Sequence, residues 1–356
     1  MQPVQPLSGV AGAAELRGPA DVFDAILGQL QRDALRLLGD EPVSFVREQI
    51  RERPTSQVLR VRCRTHRRTR HYYVRMFRLR HDGPSRQALE TRIIREFETT
   101  DRVWRQLAGT DGFSSARPVA CFPEHLAIVS EEAEGRTLSD VLQRSAAWHP
   151  GEPALRELEA ILRRVGGWLR VFQETAVCGT YSLNALRDYI DIRLRKLVAA
   201  PRARFGERNR SAVLQYFDRT AARAASSDLR DTLVHGDFAP ANILIDGSKV
   251  VVLDFAMAGR GSRYHDVTRA YSQLGLLAMK PQFSRSTVAR LQRALLDGFD
   301  PAVRDADPLF GLLVLMHRTN HLATLALRDE TRAARVYNWL VRRHHRRWLD
   351  ELVRAS

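Results

Sequence analysis

The sequence predicts an α+β protein with a strand-rich N-terminal part and a mainly helical C-terminal part. Two observations lead there. Leu59, Val61 and Cys63 alternate with Arg60, Arg62 and Arg64, and Tyr72, Val74 and Met76 repeat that period of two after the polar turn 65–70. That is a hairpin with one buried face. Further on, Leu158, Ile161, Leu162, Val165, Leu169 and Phe172 recur at helical spacing, 183–224 reads as mostly helical, 309–327 as a largely apolar helix and 336–352 as an amphipathic one.

The elements follow in chain order. Met1 to Ala20 is rich in Gly, Ala and Pro, with neither a basic start nor a continuous apolar run, so a flexible tail is expected over 1–20 and not a signal peptide. Phe23, Ile26, Leu27, Leu30, Ala34, Leu37 and Leu38 predict a packing helix over 21–38, with Asp21 as its N-cap. After the hairpin, 86–107 reads as an amphipathic helix on Leu89, Ile93, Ile94, Phe97, Val103 and Leu107. Two short strands are expected over 117–123 and 126–130, and Gly135 lets the chain turn into a helix near Thr137. A break near Pro201 divides the helical stretch 183–224.

Chemistry concentrates in Leu233-Val234-His235-Gly236-Asp237-Phe238-Ala239-Pro240-Ala241-Asn242-Ile243-Leu244-Ile245, followed by Val250-Val251-Val252-Leu253-Asp254-Phe255. Asp237 and Asn242 stand either side of a short loop, and Asp254 ends a β-branched run. A carboxylate, an amide oxygen and a second carboxylate at strand ends suit Mg²⁺ and the orientation of a hydroxyl, the needs of phosphoryl transfer.

This pattern resembles the aminoglycoside phosphotransferase and choline kinase-like superfamily, whose motif is His-Gly-Asp, four residues, then Asn. The resemblance is firm over about 115–270 and looser over 40–110. It implies a bilobal protein-kinase-like fold, with a small antiparallel-sheet N-lobe over 21–130 and a mainly helical C-lobe over 131–356. It also implies ATP and Mg²⁺ as cofactors. Asp237 is then the catalytic carboxylate, Asn242 and Asp254 the metal ligands, and His235 and Asp266 the supports of the loop. The linker residues Ser130, Glu131 and Ala133 would meet the adenine edge through main-chain atoms. Where the family carries a phosphate-holding lysine, this chain has Arg75, with Glu96 as its expected carboxylate partner and Glu98 as the rival. Arginine keeps the charge but replaces a point-like ammonium with a longer planar fork. The phosphate-covering turn, 51–57, contains no glycine, which leaves backbone N–H groups and the hydroxyls of Thr55 and Ser56 for that role.

Composition narrows the partners. The formal net charge is +15, and of 56 basic residues only Lys196, Lys249 and Lys280 are lysine. So basic a chain favours anionic ligands, ATP among them, and disfavours a polycationic acceptor. A sugar, an amino alcohol or a phosphorylated metabolite fits better. Neither an obligatory nucleic acid nor a transmembrane segment is implied, and nothing indicates the oligomeric state. Three scattered cysteines carry no metal or disulfide spacing and suit a cytoplasmic setting. His317 and His321 either satisfy core positions or face the acceptor. The run Arg342 to Arg347 lies on an amphipathic helix with a solvated basic face. Arg75 and the glycine-free turn also admit a nucleotide-binding pseudokinase or scaffold, and the charge admits a basic nucleic-acid or membrane-surface binder.

Overall fold

A computed structural model describes residues 19–40, 42–80, 83–174, 177–224, 228–303, 305–327 and 334–354. Residues 1–18 of the expected tail lie outside them. The chain divides into two compact units, one of 1–135 with 244–258, the other of 136–243 with 259–356.

In the first unit, β1 (Pro42–Glu52), β2 (Ser56–Thr65), β3 (Thr69–Phe77), β5 (Pro118–Phe122) and β6 (Ala127–Glu131) form one sheet in the order β1-β2-β3-β6-β5. Every pairing in it is antiparallel. The period of two sorts its side chains onto two faces. Leu59, Val61, Tyr72, Val74, Phe122 and Val129 pack on one face against Phe23, Ile26 and Leu30 of α1 (Pro19–Arg32) and Leu37 of α2 (Ala34–Leu38). Cys121 and Ile128 pack on the other against Leu89, Ile93 and Phe97 of α3 (Arg86–Gln106). The predicted single helix over 21–38 is interrupted at Asp33, and Gly39 closes α2 in the left-handed conformation at φ 71°. Strand β11 (Lys249–Val252) runs parallel to β4 (Phe113–Ser115) and follows β10 (Ile243–Asp246).

The second unit is built on helices: α4 (Leu138–Ser145), α5 (Glu152–Glu174), α6 (Leu183–Val198), α7 (Glu207–Arg223), α8 (His265–Gly275), α9 (Arg285–Phe299), α10 (Pro308–Leu327) and α11 (Ala334–Arg354). The break at Pro201 is a single 3₁₀ turn between α6 and α7. Strand β7 (Arg136–Thr137) precedes α4, and β9 (Arg230–Val234) lies between β8 (Val177–Thr180) and β12 (Gly259–Ser262) in an antiparallel sheet. Helices α5 and α9 touch backbone to backbone. A Cβ on Gly166 would fall 2.3 Å from the Leu295 carbonyl oxygen, and one on Gly298 would fall 1.9 Å from that of Arg163. No real side chain tolerates such an approach, so glycine is the sequence requirement of this crossing.

Among the described residues, no helix is long and apolar enough to cross a membrane.

Candidate active site

The motif loop runs between β9 and β10, and its framework is set by two buried side chains. Asp266, in the first turn of α8, is 0% exposed. Its Oδ2 accepts the His235 N–H at 2.6 Å and its Oδ1 accepts the Gly236 N–H at 2.9 Å. A carboxylate is the right partner there, because two adjacent main-chain donors need two acceptor oxygens and charge-assisted bonds are the stronger kind. Gly236 has φ 78°, which only glycine adopts without cost, and this turn aims the next residue outward. His235 is fully buried, and its Nδ1 accepts the Asp237 N–H at 3.2 Å. Phe238 then anchors the loop inward, stacked at 5.7 Å on Trp168 of α5, which itself stacks on Phe172 at 5.1 Å.

Asp237 is left half-buried with both carboxylate oxygens engaged. Asn242 Nδ2 donates to Oδ2 at 3.2 Å and to the Asp237 carbonyl oxygen at 3.0 Å. The donor end of the amide is thereby occupied, and its carbonyl oxygen is the end available to a cation. Oδ1 forms an ion pair with Arg269 of α8. Nothing in the sequence singles out Arg269. It is one arginine among many, four residues beyond His265, and only the seating of α8 beside the loop gives it this partner.

In the first unit, Arg75 lies on β3 on the same sheet face as α3, and its guanidinium reaches two carboxylates. Nη2 pairs with Glu96 Oε1, and Nη1 lies 3.3 Å from Asp254 Oδ1. The guanidinium also sits 4.8 Å over the Phe77 ring. Burial lowers the pKa of Arg75, and Asp254 pulls it back up. Glu98 is exposed, while Glu96 is buried. The pair is a bridge from one guanidinium to two acids; a bidentate fork on Glu96 alone does not form. Asp254 has a left-handed φ of 64°, uncommon for a residue with a side chain, and its carboxylate is 41% exposed. Carboxylate and amide oxygens are hard donors of the kind Mg²⁺ takes, so Asp254 in the first unit and Asn242 in the second each offer a fitting ligand atom by chemistry.

The remaining expected residues are placed as follows. Thr55 sits exposed in the β1–β2 turn, its carbonyl oxygen accepting the Arg78 N–H at 3.0 Å, whereas Ser56 is buried as the first residue of β2. Ser130 and Glu131 end β6 opposite Tyr73 and Tyr72 of β3. The Glu131 N–H is bound to the Arg117 carbonyl at 2.9 Å, and its carboxylate is held by Arg70 at 3.2 Å and Arg117 at 3.1 Å. Ala133 follows beyond the strand, partly exposed.

Residues 56–306 match the model of the phosphotransferase enzyme family, more than half of the chain. The chain belongs to that family. A search of curated proteins finds no match. Among solved structures, this phosphotransferase family member is similar to a choline kinase from Cryptosporidium parvum Iowa II, with a TM-score of 0.54 and 12% identity over 94% of this chain and 97% of that one. A glucosamine kinase in complex with glucosamine, ADP and inorganic phosphate gives 0.53 and 17% over 88% of this chain and 84% of that one. A thermostable mutant of an aminoglycoside phosphotransferase, in a ternary complex with ADP and hygromycin B, gives 0.52 and 15% over 92% and 99%. At such identities the likeness carries the fold, which is the kinase-like one expected from the motif.

Proposed function

We propose that this family member is an ATP-dependent kinase acting on a hydroxyl of a small molecule. The observation that carries the reading is the loop from His235 to Asn242, in which a partly exposed Asp237 is fixed by Asn242 while Asp266 holds the backbone behind it. Phosphoryl transfer asks for positioning and charge neutralisation more than for covalent chemistry by the protein.

Asp237 orients the acceptor hydroxyl and takes its proton as the oxygen bonds to the γ-phosphorus. The bond from that phosphorus to the β,γ-bridging oxygen breaks, and ADP departs with its electron pair. Asn242 and Asp254 are the residues that would hold Mg²⁺, which when bound neutralises charge on the phosphates. Arg75, steadied by Glu96, offers its guanidinium to the phosphates in place of a lysine, and the exposed Thr55 covers them, the buried Ser56 being left to hold the turn. The main chain at Ser130, Glu131 and Ala133 faces the adenine edge. The Glu131 N–H is already bound within the sheet, which shifts the larger share to Ala133.

The test is to incubate the purified chain with Mg-ATP and a panel of hydroxylated metabolites and to follow ADP release against an Asp237→Asn control. Acceptor-dependent ADP release that the control lacks supports the reading. Nucleotide binding without turnover for any acceptor would leave a nucleotide-binding scaffold in its place.

A further inference from the structure

Helix α11 is packed on one side only. Val341, His345 and Leu349 are buried and recur every four residues along its inner face. At 3.6 residues per turn, Val336, Trp339, Leu340, Arg343 and Arg347 fall within about 100° of the opposite side and span about 16 Å of the axis. All five are exposed.

The apolar three stand in water to an unusual degree: Val336 is 69% exposed, Trp339 50% and Leu340 36%. Apolar side chains scattered singly on a surface need no explanation, but three adjoining ones rimmed by charge mark a contact surface. Trp339 is the informative member. Its ring lies 5.3 Å from the Arg343 guanidinium, so an apolar plate and a cation are presented together.

The surrounding charge has one sign. From Ala334 to Leu349 the helix holds five arginines and no acidic residue, and Asp350 and Glu351 follow only near its end. Lys280 adds its ammonium 6.0 Å from the Tyr337 ring. Neither Arg343 nor Arg347 has a carboxylate partner among the described residues. Aliphatic groups, an indole and unneutralised guanidinium groups on one helix face match the layers of an anionic bilayer surface. The aliphatics meet the acyl boundary, the indole sits at headgroup depth, and the cations meet the headgroup charge. A nucleic-acid backbone would give Val336 and Leu340 nothing to bury against. A second copy related by a two-fold axis would bring the same cationic face against itself.

We propose that the outer face of α11 docks on an anionic membrane surface, the helix lying flat in the headgroup layer with Trp339 inserted and Arg343 and Arg347 on the headgroups. None of the residues assigned to phosphotransfer lies on this helix, so the docking leaves that reading as it stands.

The experiment is co-sedimentation of the full chain with vesicles of phosphatidylcholine alone and of an equal mixture of phosphatidylcholine and phosphatidylserine. The chain binds the mixed vesicles, stays in solution with phosphatidylcholine alone, and is released toward about 1 M salt, where charges are screened beyond about 3 Å. Replacing both arginines, Arg343→Gln with Arg347→Gln, weakens binding about 25-fold, about fivefold for each, and lysine at both positions retains it. Trp339→Ala, which leaves the charge unchanged, weakens it roughly tenfold through lost apolar burial. Leu340→Gln serves in its place if Trp339→Ala fails to fold. Equal binding to both vesicles, binding to neither, or binding to the mixture that ignores the arginine pair or the apolar substitution overturns the assignment. Tighter binding of polyuridylate through the same arginines gives the face to nucleic acid, and self-association abolished by Trp339→Ala gives it to a second copy; either result overturns it too.

Discussion

Arg75 on β3 and Glu96 on α3 form an ion pair in which the Glu96 side chain is only 4% exposed and its Oε2 has no hydrogen-bond partner among the described residues. Removing the arginine strands a buried carboxylate. Arg75→Ala is expected to cost about 3–5 kcal/mol in urea unfolding, the usual result of breaking a buried pair from one side. Adding Glu96→Gln should return part of that loss. Arg75→Lys should preserve the pair and nucleotide affinity, whereas Arg75→Ala should weaken nucleotide binding as well. Equal unfolding midpoints for the parent and Arg75→Ala would remove the pair from any structural role, and equal nucleotide affinities would remove it from binding.

Asp237 and Asp254 should separate kinetically. Asp237→Asn is expected to lower the transfer rate by about 10²-fold or more, the contribution of a positioned proton acceptor, with nucleotide affinity nearly unchanged. Asp254→Ala should instead weaken Mg-ATP, because on the proposed reading it removes a metal ligand. Nucleotide titration and single-turnover assays on both variants distinguish the two roles, and a fully active Asp237→Asn enzyme would sink the mechanism.

Asp266→Ala leaves the His235 and Gly236 N–H groups without their acceptors. An unsatisfied buried donor costs about 1–3 kcal/mol, so thermal unfolding should fall measurably and the rate with it. Asp266→Asn, which offers one acceptor oxygen in place of two, should lie between. If Asp266→Ala unfolds like the parent, the loop is held by something else.

Buried histidines give the stability a pH dependence of definite sign. His265, His317, His321 and His345 all have pKa values lowered by burial, His345 to about 2. The unfolded chain takes up those protons near pH 6.5, and the folded chain does so only at lower pH. Stability is therefore full above 6.5 and is lost as pH falls toward each folded pKa, by up to about 1.4 kcal/mol per pH unit for each group. The urea midpoint should drop between pH 7.5 and 5.5. His345→Gln should flatten that slope even though it lowers stability at pH 7.5. A midpoint constant over the interval would contradict the burial of these rings as neutral groups.

Much of the architecture was legible because periodicity is a local signal. The β2–β3 hairpin, α3 and α5 follow from apolar spacing alone, α10 from a long, largely apolar run, and the break at Pro201 from a missing N–H. The motif loop was legible because glycine and paired polar residues at fixed offsets leave few alternatives. What resisted was relational. Nothing local ties Arg269 to Asp237, and the basic run at 342–347 conceals that His345 turns inward while its arginine neighbours stay partly in solvent. Nor does a linear scan reveal that 244–258 pack with the N-terminal residues. Such facts depend on how helices and strands are seated against one another, and composition contains no record of that.

The α5–α9 crossing has an evolutionary consequence. Elsewhere along these helices, a gain of volume on one side can be matched by a loss on the other, so sequences drift by compensated pairs. Where Gly166 meets Leu295 and Gly298 meets Arg163, the opposing surface is main chain, which has no volume to surrender. Neither glycine can be rescued by a partner substitution. Gly166→Ala and Gly298→Ala should each destabilise on their own, and second-site suppressors should be absent from the opposing helix. Any that arise should shorten or kink a helix and leave its side chains alone, which makes this seam a fixed point about which the rest of the second unit is free to diversify.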